Sequence, residues 1–255
     1  MIVDINKLFK QYVTAYLVKN KGKIDGNKIQ EVTDELYSSF QDTAFDELEG
    51  LTPNTYYDNK VDCLEQILSE HVNTGVKIND YLIDALKRNL SKERAIALSN
   101  EANQQLVQIG LEVALFNGVK IDDNRLIDLL FDKNTSQENL ELCVILLKEG
   151  GDAVISAVVE KASKQEKISG VVCDLLAGST VLYVEITPIL IDGLKQNLDS
   201  VPEFCTYLSK HGDESALDSL YEIAKVVTDK IALKEICMTI ERLGGDIGKV
   251  VNLNY

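Results

Sequence analysis

Apolar residues recur at spacings of three and four along nearly the whole chain, the period that lines one face of an α-helix. The pattern predicts helices near 4–19, 27–42, 59–73, 79–90, 102–117, 123–132, 137–149, 153–163, 167–177, 187–197, 202–210, 214–226 and 231–243. Two phrases are nearly repeated, GVKINDYLIDAL at 75–86 and GVKIDDNRLIDLL at 118–130, and a fainter copy runs from Gly22 to Asn27. Each block reads as a helix stop followed by a helix start. The glycine supplies the left-handed turn, the lysine lies near the last carbonyls, and the isoleucine plugs the junction. Asn or Asp then accepts from the first free amides of the next helix.

A shorter mark does the same work later, at Gly151-Asp152, Gly212-Asp213 and Gly245-Asp246. The LID phrase returns as Leu190-Ile191-Asp192 after Pro188, which the pattern places in the first turn of its helix. The longest irregular stretch, TAFDELEGLTPNTYYD at 43–58, reads as a hinge or seam. Cys143, Cys173, Cys205 and Cys237 are separated by 30, 32 and 32 residues, an independent ruler of the same length scale. A period in the thirties to forties filled by two helices is the mark of stacked hairpins, none of which buries its apolar stripe alone. The expected fold is therefore all-α, a right-handed α-α superhelix, with an N-terminal helical portion at 1–74 packed continuously on a solenoid at 75–255.

The motifs LSKHGDESALDSLYEIA and IERLGGDI resemble HEAT repeats, in which a first helix ends at Gly-Asp and the second opens with an Ala-x-x-x-Leu face. FDELEGLTPNTYYDN, a helix, and then GVKINDYLIDAL are similar to a group of bacterial HEAT-like proteins of uncharacterised function. The resemblance implies a curved helical scaffold used as a protein-binding surface. Segment 163–186 departs from it, with Gly178-Ser179 where the Gly-Asp mark belongs.

Charge narrows the partners. With 26 basic and 41 acidic residues the net charge is -15, which repels phosphate backbones and anionic lipid. Neither nucleic acid nor a membrane is expected as partner. The N-terminal stretch lacks the apolar run of a signal peptide, and no window reaches the roughly 18 to 20 apolar residues of a membrane span. A cytoplasmic protein is expected, in keeping with five cysteines free of disulfides.

Catalytic patterns are weak. Cysteines about thirty residues apart supply no chelating pair, and they read as small buried hydrophobes. His71 and His211 each fall in the last turn of a helix, where an imidazole interacts with the terminal carbonyls. The run from Asp132 imitates a calcium loop, but Gln137 and Cys143 stand where Gly and Glu belong, so Ser136 reads as a helix cap. No metal, cofactor or catalytic residue is assigned, and a non-enzymatic role is expected.

What stands out is acidity: residues 25–50 hold eight acids against Lys28 alone. Asp34, Glu35, Asp42, Asp46, Glu47 and Glu49, with Tyr56 and Tyr57 as anchors or as plugs over helix ends, form the candidate face for a basic, partly apolar protein or peptide partner. The competing readings are a helical-repeat enzyme, such as a base glycosylase or a lyase, and a regulatory subunit of a larger assembly.

Overall fold

The computed structural model describes residues 2–21 and 29–251, so the faint repeat copy at Gly22 to Asn27 lies outside the described residues, as do Asp25 and Lys28. Among the described residues the chain is all-helical, and its only ladder-type pairing is an isolated bridge between Phe45 and Leu51. No helix among them is long and apolar enough to cross a membrane.

The chain divides into two compact units, residues 1–119 and 120–255. The first contains α1 (Ile5–Lys19), α2 (Ile29–Gln41), α3 (Pro53–Tyr56), α4 (Leu64–Thr74), α5 (Asp80–Asn89), α6 (Lys92–Ser99) and α7 (Gln104–Asn117). The repeated block works at its two described copies as the residue types dictate. Gly75 and Gly118 take φ of 69° and 61° at the ends of α4 and α7. Asn79 Oδ1 then accepts from the Leu82 amide at 3.1 Å to start α5.

Segment 43–58 is folded into the first unit. It forms a 3-10 turn at Asp46–Leu48 and the short α3, which starts at Pro53 behind a Thr52 capping box. Leu48, Tyr56 and Tyr57 join Phe40, Leu82 and Leu86 in the core. The periodicity also passed over α6, whose buried seam is made of Ala95, Leu98 and Ser99 and offers little apolar contrast. Those small residues let α7 come close. A Cβ on Gly110 would stand 2.8 Å from the Ala95 carbonyl oxygen.

The second unit contains α8 (Asp123–Phe131), α9 (Gln137–Leu147), α10 (Gly151–Ala162), α11 (Gly170–Ala177), α12 (Tyr183–Gln196), α13 (Val201–His211), α14 (Leu217–Val226), α15 (Lys230–Arg242) and α16 (Gly248–Val251). Asp122 caps α8, accepting from the Asn124 amide at 3.0 Å. Here each helix packs on the one two places ahead: α8, α10, α12 and α14 form one row, and α9, α11, α13 and α15 the other. Cys143, Cys173, Cys205 and Cys237 fall on the four helices of the second row, the first three fully buried. Burial pushes the Cys143 and Cys173 thiols up to about 12 and Cys205 to about 11, so the thiolate is suppressed in the interior.

Hydrogen bonds between neighbouring helices span a similar length. Asn197 Nδ2 donates to the Ile168 carbonyl 29 residues back, and Thr239 Oγ1 reaches the Cys205 carbonyl 34 back. Ser136 caps α9 by accepting from the Asn139 amide at 3.3 Å. Pro188 is a correction. It stands inside α12 and not in its first turn, because the helix begins earlier, after Leu182 in a left-handed conformation (φ 57°). The bond that its missing N–H forfeits would have gone to Val184, which is 79% exposed, leaving that carbonyl on the solvent side of the helix.

Two substitutions test this packing by urea unfolding. Leu220→Ala, at a fully buried site in α14, is expected to cost about 2–5 kcal/mol. Gly110→Ala should cost about 1–3 kcal/mol by forcing α6 and α7 apart; an unchanged midpoint would contradict the close approach.

Candidate functional site

The acidic stretch is sorted by the helical period. Along α2, Leu36 and Phe40 turn inward, where Phe40 packs on Phe9 and Tyr12 of α1 with ring centroids 5.1 and 5.6 Å apart. Asp34 and Glu35 are left on the exposed side, and Asp42, Asp46, Glu47 and Glu49 follow on exposed turns. Among the described side chains of α2, Tyr37 is the one large apolar residue left exposed, so the face offers charge far more than apolar surface. Gln30 Nε2 donates to Asp34 at 2.9 Å and Asn54 Nδ2 to Asp42 at 3.0 Å, which orders both carboxylates without neutralising them.

Glu49 closes the 3-10 turn in a left-handed conformation, φ 59°, that is uncommon for a side-chain-bearing residue. It accepts Lys60 Nζ on both carboxylate oxygens, at 2.8 and 3.0 Å. The same ammonium lies 5.0 Å from the centre of the Tyr56 ring. Tyr56 packs edge-on against Tyr57 at 5.0 Å, and both tyrosines are buried, so neither stands on the surface as a free anchor. Tyr57 Oη accepts from Asn79 Nδ2 at 2.9 Å, coupling the pair to the cap of α5. Burial pushes the Tyr57 hydroxyl up to about 12, against the Asn79 bond, and keeps it neutral. Burial also raises Tyr56, with Lys60 opposing and Glu49 adding to the shift.

Beside these residues opens a recess of about 350 Å³. Glu49, Tyr56 and Tyr57 line it, joined by Lys60, Asp62, Cys63, Glu70 and His71, which the sequence did not connect with the acidic face. Asp34, Glu35, Asp42, Asp46 and Glu47 lie outside it. His71 is 1% exposed, in the last turn of α4. Its Nδ1 is 3.2 Å from the Val76 carbonyl oxygen. A carbonyl only accepts, so Nδ1 is the donor of this bond. Nε2 is buried and has no hydrogen-bond partner among the described residues. The spacing of Cys63, Glu70 and His71 along α4 was visible in the sequence; the turn that brings Glu49 and Tyr56 over them was not.

Among the described residues, those of the recess included, no three His, Cys, Asp or Glu side chains gather as a metal site. His211, also buried, ends α13 and adds to the forces holding Asp213 below the usual carboxylate range; burial opposes this and hydrogen bonds from Thr187 and Ser215 favour it. A cleft of about 830 Å³ lies in the second unit and mixes Lys133, Lys164 and Lys167 with Asp132 and Glu166 over an apolar floor.

Tyr57→Phe would leave the Asn79 amide without its partner in the core. It is expected to lower unfolding stability by about 1–3 kcal/mol while leaving the far-ultraviolet circular dichroism unchanged. No protein-family model, no curated protein and no solved structure matches this chain.

Proposed function

We propose that this chain is a non-enzymatic interaction scaffold, a HEAT-like helical-hairpin solenoid that docks a basic segment of a protein partner on the acidic face of its first unit. The observation that supports this reading is the sorting of the stretch 29–50. Leu36, Phe40 and Leu48 are buried while Asp34, Glu35, Asp42, Asp46, Glu47 and Glu49 stay exposed, and among the described residues Glu49 alone of these six is ion-paired, with Lys60. Such a field speeds encounter with a positively charged partner and rejects nucleic acid and anionic membrane. The solenoid assignment draws on the two rows of helices in the second unit and on hydrogen bonds that recur about one hairpin apart. A cytoplasmic setting suits five free cysteines. The competing enzymatic reading would have to work in the cleft of about 830 Å³, where lysines alternate with acids and no pair of carboxylates stands apart from them.

The test is calorimetric titration of the full chain with a short synthetic peptide of alternating lysine and leucine, at low and at moderate salt. Binding should weaken as salt rises, and the combined variant Asp34→Asn, Glu35→Gln, Asp42→Asn, Asp46→Asn, Glu47→Gln should lose roughly tenfold to a hundredfold in affinity, a few tenths of a kcal/mol per exposed charge. An affinity unchanged in that variant, or no binding at low salt, overturns the proposal.

A further inference from the structure

We propose that two copies of this chain pair through their first two helices, the outward stripe of α1 on each copy lying against the outward stripe of α2 on the other. The proposal rests on the reading of the acidic face as a dock for a basic segment, and it names that segment as α1 of a second copy.

Between Ile5 and Lys21 the chain carries four lysines, Lys7, Lys10, Lys19 and Lys21, and no acid, in a protein of net charge -15. The helical period sorts this segment. Ile5 and Leu8 are buried, and Phe9 and Tyr12 pack on Phe40 of α2. Lys7, Lys10, Thr14 and Leu17, spaced by three, four and three residues, form the opposite side, and all four are exposed. Val18 beside this stripe is 71% exposed. Tyr16 is exposed although it falls on the side of Ile5, so the last turn of α1 stands clear of the core.

Helix α2 repeats the arrangement with the opposite charge. Leu36 and Phe40 turn inward, while Glu31, Asp34 and Ser38, spaced by three and four, form its exposed outward stripe, with Glu35 at the margin. Both stripes point away from the contact between the two helices. Among the described residues, none of the lysines of α1 and none of the acids of α2 is ion-paired.

A twofold axis satisfies both stripes at once. In an isologous pair, a contact that α1 makes with α2 of the partner is made again by α2 with α1 of the partner. Each lysine stripe then meets a carboxylate stripe of matching spacing, and Leu17 and Val18 are withdrawn from water. The charge of -15 on each copy opposes approach at long range. At physiological ionic strength that repulsion is screened beyond about 8 Å, and pairs in contact are screened much less. An anionic membrane would also attract the lysines, but it would meet the carboxylates of α2 beside them, and a second copy presents no such conflict.

Sedimentation equilibrium of the full chain at physiological ionic strength tests this by exchange of charge. The chain should follow a monomer–dimer equilibrium. The combined variant Lys7→Glu, Lys10→Glu, Lys21→Glu should weaken it about tenfold or more, and so should Glu31→Lys, Asp34→Lys, Glu35→Lys, since each sets like charges together. All six positions are exposed, so both variants should keep the circular dichroism of the parent. An equimolar mixture of the two should recover the dimer, because each supplies the charge that the other now requires. Val18→Ser should weaken the dimer of the unaltered chain about tenfold through lost apolar burial. A chain that stays monomeric at every concentration, an assembly that grows past the dimer, or a mixture no more associated than its components overturns the proposal. Binding of phosphatidylserine vesicles by a chain that does not dimerise overturns it too. The reading beneath it fails separately. If the lysine-leucine peptide binds while the chain stays monomeric, the second copy falls and the acidic face stands. If the chain dimerises, the mixture rescues and the peptide does not bind, the external partner falls and the second copy stands.

Discussion

None of the helices among the described residues is long enough to persist alone in water, and that constraint shapes everything else. Helix α11 has 8 residues, and Val172, Cys173, Leu175, Leu176 and Ala177 are all buried. An isolated segment of that length is marginal, because nucleation costs more than so few hydrogen bonds return. It is stable only as a shared wall, covered by α9 on one side, α13 on the other and the opposite row at its back. Each buried leucine or valine contributes about 1.5–3 kcal/mol relative to exposure, and the contribution exists only while the neighbours are in place. The sequence is repetitive because the problem is.

The same constraint explains what could be read beforehand. Asn79, Asp122 and Ser136 act within three residues of themselves, so their role as caps is legible from local chemistry. The cysteines were legible as small buried residues at Cys143, Cys173 and Cys205, while Cys237 in α15 is only half-buried. Helix α6 was not, since a seam of Ala95 and Ser99 is chosen by how close α7 must come and carries no periodic apolar signal. Pro188 was misplaced for a related reason: a proline can sit in a helix interior where the carbonyl that loses its bond lies on the solvent side, and solvent exposure is a property of the packing, not of the dipeptide.

The candidate site divides along the same line. Asp34 and Glu35 could be assigned to the surface from their place on the helix that buries Leu36 and Phe40, which is a local fact, and Asp42, Asp46 and Glu47 from the polar turns that follow it. Tyr56 and Tyr57 could not be assigned from the pair alone. Their burial depends on the left-handed turn at Glu49 and on Asn79, which stands 22 residues beyond Tyr57. His71 looked like an ordinary helix-end histidine, and the Val76 carbonyl that accepts from its Nδ1 lies in the following loop. Local rules thus placed the charge, and the turns between helices made the cavity.

The reach of the hydrogen bonds that tie one helix to the next carries a kinetic consequence. Lys148 and Lys210 meet Asp174 at separations of 26 and 36 residues, and the carbonyl contacts of Asn197 and Thr239 fall between those values. A native state assembled from such near neighbours has a low contact order, so little loop entropy is lost before contacts begin to compensate. Each hairpin of the second unit can settle as soon as the one before it exists. During synthesis the polypeptide need not wait for its C-terminus, and the hydrophobic stripe of a newly made helix is covered within about one further hairpin of translation, which limits the time in which it could adhere to anything else.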